Sequence, residues 1–241
     1  MDREKVHHNI IEVELTEEFF DRARRIAYER SLKNTGRKNS SGYDAGGSSI
    51  ATGAEATRHE EESILLELAV ASYLGSIKPS EDFMIAHLAG KSLPVSDHKR
   101  YGGRIPDVAV IDLPSSNESI LPEVFPGIQG EIVADIEVKK INASGGDLDK
   151  KTLGHAGAIK RHQLGDGKVQ VVGQVINGVA YLAGWYELNE NTFRRAEVPF
   201  YAKKNDGAND RRARVAQLNP MSDIHWALFQ SALTADDLVT F

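Results

Sequence analysis

From position 64 to position 74 the chain reads ILLELAVASYL, which wound as a helix is apolar on every side except at Glu67 and Ser72. A helix with no polar face has to be enclosed by other elements. With 241 residues, 41% of them apolar, the chain is long enough to enclose it in one core. At about 100° per residue Glu67 falls among Ile64, Val70, Ala71 and Leu74. A carboxylate so placed is costly unless a cation reaches it. The periodicity predicts this helix over about residues 57–74, with Gly75 behind it as the C′ residue.

Around this helix, strand and helix signals alternate. Residues 10–15, IIEVEL, alternate apolar and acidic, as a strand with one wet face does. Thr16 then offers an N-cap, and Glu17 and Glu18 suit the first turn of a helix reaching about residue 31. Residues 33–58 are rich in Gly, Ser, Thr and Asn and read as a long loop. Residues 76–104, punctuated by Pro79, Gly90, Pro94, Gly102 and Gly103, read as an irregular connection. Strands are expected at 106–113 and 132–141, and a helix at about 151–164. A hairpin is expected from 169–176 and 179–188, turning on Asn177-Gly178. Residues 194–214 form a basic polar stretch before a short C-terminal helix begun by Ser222 and carrying Ile224, Trp226, Leu228 and Phe229. This order predicts an α/β (α+β) fold, a central mixed β-sheet flanked by helices. It is expected as one domain over 1–241: a core of about 55–190, an N-terminal strand–helix over 1–32, the loop 33–58 and an extension over 191–241.

Composition removes several functional classes. The chain has no cysteine, which excludes disulfides, thiolate nucleophiles and Cys-ligated zinc. No apolar run is long enough to span a bilayer, so no membrane partner is expected. The first ten residues, MDREKVHHNI, are charged and lack the apolar stretch of a signal peptide, which points to the cytoplasm. The formal net charge is −6, yet residues 139–214 carry a surplus of Lys and Arg that can attract a polyanion locally.

Three carboxylates and a lysine carry the chemistry. In ADIEVK, residues 134–139, polar and apolar residues alternate, so Asp135, Glu137 and Lys139 share one face. Alone, that describes a solvated strand face. Asp107, however, follows Pro106 at the start of an apolar strand that immediately precedes the strand of Glu137 in the chain, and consecutive strands are commonly neighbours. Glu67, on its enclosed helix, needs a positive partner. Oxygen ligands on adjacent elements suit a hard divalent cation.

These residues resemble the PD-(D/E)XK nuclease superfamily, in particular its phage-type members. Pro106-Asp107 matches the first half-motif and Glu137-Val138-Lys139 the second. The helix ending in ELAVASYLG resembles the one that precedes the motif and can contribute a glutamate, and AYLAGWYEL resembles a late strand pair. The similarity covers roughly residues 55–190 and implies a restriction-endonuclease-like core. It further implies a deoxyribonuclease that hydrolyses phosphodiesters with Mg²⁺, for which Mn²⁺ can substitute. Asp107, Glu137, the Val138 carbonyl and Glu67 would hold the metal, and Lys139 would steady the attacking water or the developing charge. Double-stranded DNA is the implied partner, with a homo-oligomer compatible, in the host cytoplasm for a phage-encoded member. The alternative is a catalytically silent protein of the same fold with a DNA-binding or structural role.

Lys140, Lys160 and Arg161 follow the motif and are candidates for phosphate contacts, or else ordinary surface charges. Asp135 is expected to be solvated or paired with Lys139 or Lys140. His59, His87 and His98 lack a partner at any recognisable spacing, and the adjacent His7 and His8 would point to opposite faces of a strand. Trp185 and Tyr186 read as core and sheet residues. Trp226 and Phe229 read as a cover for a core edge or a dimer contact.

Overall fold

The computed structural model describes residues 10–34, 53–88, 106–113, 123–125, 128–141, 158–196, 210–212 and 218–229. Ten strands and four helices lie within them: β1 (Ile11–Glu14), α1 (Glu17–Asn34), α2 (Gly53–Ile77), β2 (Phe83–His87), β3 (Val108–Asp112), β4 (Glu123–Phe125), β5 (Ile128–Gln129), β6 (Glu131–Lys140), β7 (Ala158–Lys160), β8 (Lys168–Ile176), β9 (Val179–Glu187), α3 (Glu190–Arg195), β10 (Asp210–Arg212) and α4 (Ile224–Leu228). Six strands form one sheet in the order β1-β9-β8-β6-β3-β2, while β10 pairs with β7 and β4 with β5 in two small ribbons. Within the large sheet β6 and β8 run parallel and the remaining pairs are antiparallel, so the sheet is mixed, as expected for an α+β fold.

The enclosure that α2 demands is supplied from two sides. Leu66, Ala69, Val70 and Leu74 pack on Val108, Val110, Ile136, Val138 and Val171 of the sheet. Ile64, Leu65 and Leu68 pack under Ala23, Ile26 and Ala27 of α1. Helix and sheet approach closely at Gly173, where an added Cβ would lie 2.9 Å from the Leu66 side chain and 2.6 Å from the Tyr181 carbonyl oxygen. Phe229 closes the end of this core edge-on to Phe83, with ring centroids 5.3 Å apart. The other face of β6, β8 and β9 is covered by Ile159, Leu188 and Phe193.

Several expectations are corrected. The helix does not stop before Gly75 but continues to Ile77, and it begins at Gly53, inside the stretch read as loop. Nothing lies within 4 Å of a Cβ built at Gly75, so no packing demands glycine there. The connection 76–104 contains β2, whose residues 83–87 pair in register with β3. The helix read over 151–164 is, in its described part, β7 followed by a 3₁₀ turn at Arg161–Gln163; residues 151–157 lie outside the described residues. Here a pairing with β10, some fifty residues away in the chain, overrides local helix preference. The short helix α3, capped by the Asn189 side chain on the Thr192 N–H, is not expected from the sequence: it fills the gap between the strand read to 188 and the basic stretch read from 194. Ser222 does not cap the last helix, which is entered through a 3₁₀ turn after Pro220. The hairpin turn is as expected: Asn177 and Gly178 take φ of 49° and 81°, the left-handed values that two-residue hairpin loops require. Among the described residues no helix is long and apolar enough to cross a membrane.

Candidate functional site

Glu67 is buried, and what meets it is an imidazole. Its Oε2 lies 2.9 Å from His87 Nε2, with both side chains under a tenth exposed (8% and 3%). His87 is the last residue of β2, opposite Val108, and the Leu88 N–H donates to the Asp107 carbonyl 3.0 Å away. The same edge pairing thus seats His87 under Glu67 and fixes the backbone of Asp107. His87 belongs to the site although its spacing did not announce it. The signal was present in Phe-Met-Ile-Ala-His, a short apolar run ending in a polar residue. Its Nδ1 is buried and has no partner among the described residues.

Asp107 stands where β3 begins, one position beyond the Val108–Ile136 pair, and so comes abreast of Glu137. Its Oδ2 accepts a 2.8 Å hydrogen bond from the Val138 N–H. The N–H and C=O of one strand residue project to the same side, so the Val138 carbonyl is also directed toward the Asp107 side of β6. Burial, foremost, and then the nearby Glu67 and Glu137 push the Asp107 carboxyl up to about 7, while Lys139 and the Val138 N–H pull it down. Four candidate residues therefore share one electrostatic neighbourhood: Glu67, Asp107, Glu137 and Lys139.

Glu137 is buried in the middle of β6. Its Oε2 lies 3.5 Å from Lys139 Nζ and 3.4 Å from Nε2 of Gln163, which arrives from the 3₁₀ turn after β7. Lys139 itself is one-third exposed, so its ammonium reaches the solvent side of the site. Asp135, two residues earlier on this face, lies opposite Lys168 in the sheet. Burial raises its carboxyl above the ordinary value; Lys168 pulls it back and Glu137 adds to the rise. Its cationic neighbour is thus Lys168 rather than the expected Lys139 or Lys140.

The basic candidates lie elsewhere. Lys140 turns to the opposite face of β6, where its ammonium is 2.6 Å from Glu62 of α2 and largely buried. Arg161 pairs with Glu190 at 2.8 Å and stacks over the Phe193 ring, 4.8 Å from its centroid. Lys160 is placed by its backbone on β7, opposite Asp210. Trp185 and Phe229 are core residues, the former donating its indole N–H to the Pro220 carbonyl at 2.8 Å. Trp226 leans on His225, and both line a groove with Asn219, Ser222 and Asp223 that shares no residue with the carboxylates. His98 and His7-His8, and the side chain of His59, lie outside the described residues.

Among the described residues no three His, Asp or Glu side chains already stand in a metal-holding arrangement. Asp107 and Glu67 each commit one oxygen within the protein, to the Val138 N–H and to His87. The donor set nevertheless fits a hard divalent ion: it consists of carboxylate oxygens, crowded enough that their mutual repulsion helps hold Asp107 in its neutral form. No family model matches this chain, and no curated protein or solved structure matches it either.

Proposed function

We propose that the chain is a Mg²⁺-dependent nuclease that hydrolyses phosphodiester bonds of DNA, in keeping with its resemblance to the PD-(D/E)XK superfamily. One observation carries the reading: carboxylates from three separate elements, Glu67, Asp107 and Glu137, converge with Lys139 beside them, and burial first, then the two neighbouring carboxylates, raises the Asp107 carboxyl to about 7. Structural carboxylates are not normally assembled against their own repulsion, whereas functional sites regularly are.

Asp107 and Glu137, with the Val138 carbonyl beside them and Glu67 behind, would hold the ion. Bound there, Mg²⁺ supplies neutralisation of the phosphate charge and acidification of a coordinated water. Lys139, partly exposed, directs its ammonium to the position where negative charge develops on the phosphoryl oxygens. Its compact charge also offsets the carboxylates, with Nζ 3.5 Å from Glu137 Oε2. His87 holds Glu67 in place through Oε2, 2.9 Å from its Nε2. Val138, through its N–H, fixes one oxygen of Asp107 and leaves the second for a ligand.

Digestion of linear and supercoiled duplex DNA with Mg²⁺ or Mn²⁺ tests the reading, with Lys139→Ala as control. Cleavage by the native chain, falling at least 100-fold in Lys139→Ala, is the expected outcome. Mn²⁺ titration by calorimetry is the companion measurement. Binding that persists unchanged in Asp107→Ala and Glu137→Ala would rule the assignment out. DNA binding without cleavage under any divalent ion would instead favour a silent member of the same fold.

A further inference from the structure

The strand register extends the site into the interior. Glu137 on β6 is paired with Gln170 on β8, and Gln170 with Tyr186 on β9. Residues paired across neighbouring strands project to the same face, so these three side chains form one row across the sheet. All are buried: Glu137 7% exposed, Gln170 0% and Tyr186 3%, and Gln163, 2% exposed, reaches Glu137 from above. Tyr186 packs in an apolar cluster with Ile159, Val172, Leu188 and Phe193. A hydrophobic residue at 170 or 186 would fill such a layer without loss. The Tyr186 hydroxyl has no partner among the described residues, and burial raises its ionisation so far that it stays a neutral O–H. A buried hydroxyl without a partner is destabilising, which makes its presence beside a site carboxylate informative.

We propose that Gln170 and Tyr186 are positioning residues for Glu137, with Tyr186 acting through Gln170. The inference rests on the metal-site reading of Glu137 given above. An internal water, of the kind that commonly pairs buried polar atoms, joins the Tyr186 hydroxyl to the Gln170 amide. Gln170 and Gln163 then hold the Glu137 carboxylate from two sides, so that it presents a fixed oxygen to the cation without rotating. Outer partners of this kind orient metal ligands, and their loss characteristically weakens metal affinity 10- to 100-fold.

The experiment compares Tyr186→Phe, Gln170→Met and the double variant with the native chain, by Mn²⁺ calorimetry and by thermal melting without metal. Each single variant is expected to weaken Mn²⁺ binding roughly tenfold or more, while melting at or above the native temperature because an apolar group replaces a buried polar one. The double variant is expected to bind Mn²⁺ no worse than Gln170→Met alone, since Tyr186 acts through Gln170. Mn²⁺ affinities within twofold of native overturn the proposal, as does a metal-free melting loss large enough to account for the weaker binding. Multiplying losses in the double variant overturn the relay. If one variant fails to fold, the other single variant decides by the same two measurements. A native chain that binds no Mn²⁺ removes the metal reading itself, an outcome distinct from native binding that the two substitutions leave untouched.

Discussion

At Asp107 stability and the proposed function pull in opposite directions. Its carboxyl is raised from an ordinary 3.8 to about 7. Between those values the unfolded chain has released a proton that the native chain still holds. The native state therefore binds more protons, and its stability falls as pH rises through that window before levelling off above about 7. Without metal, Asp107→Asn should lack this component and melt above the native chain at pH 8. The gain should be a few kcal/mol, at about 1.4 kcal/mol per pH unit of the window, and each kcal/mol raises the melting temperature by about 2–4 °C for a chain of this size. At pH 4 the two should melt alike, and melting curves across this range check the sign. His87 is the opposite case. Removing it as His87→Ala takes away the imidazole that meets buried Glu67, and a loss of about 2 kcal/mol is expected in urea unfolding.

At the level of elements, α2 combines two duties that are usually separate. Its Leu66 and Val70 build the main core, and Glu67 between them faces the site. The close approach at Gly173 keeps the helix at its depth. Gly173→Ala should force the helix or β9 outward, lowering stability by about 1–3 kcal/mol in denaturant unfolding. It should also weaken Mn²⁺ binding, because Glu67 moves with Leu66. Much of this arrangement was readable in the chain: α2 from an apolar surface broken only at Glu67 and Ser72 between 64 and 74, β6 from its alternation, and the β8–β9 hairpin from Asn177-Gly178. Glu67, Asp107 and Glu137 stood out as charges on elements that are otherwise apolar. What could not be read depends on pairing. β2 is a five-residue edge strand amid turn-forming residues, and its role, like that of His87, comes from its register with β3. The segment 158–160 became a strand only because β10 returns to it. Gln163, Gln170 and Tyr186 are unremarkable polar and aromatic residues until the sheet order sets them beside Glu137.

Across the whole molecule, the site joins segments that are distant along the chain and meet only when the sheet is complete. Metal binding should therefore report the native state alone. At a free Mn²⁺ concentration 100 times its Kd, global stability is expected to rise by about 2.7 kcal/mol. Chemical denaturation with and without Mn²⁺ measures it, and Glu137→Ala should show no gain. The hydrogen bond from Val138 to Asp107 has a consequence of another kind. Its donor is a backbone amide in a central strand, but its acceptor is a side-chain carboxylate instead of a neighbouring strand. That amide is a built-in indicator: in a ¹⁵N–¹H spectrum its proton frequency follows the charge on a single carboxyl group, sliding with acidity, and under the proposed metal reading it would jump when a cation arrives, while its neighbours along β6 stay still.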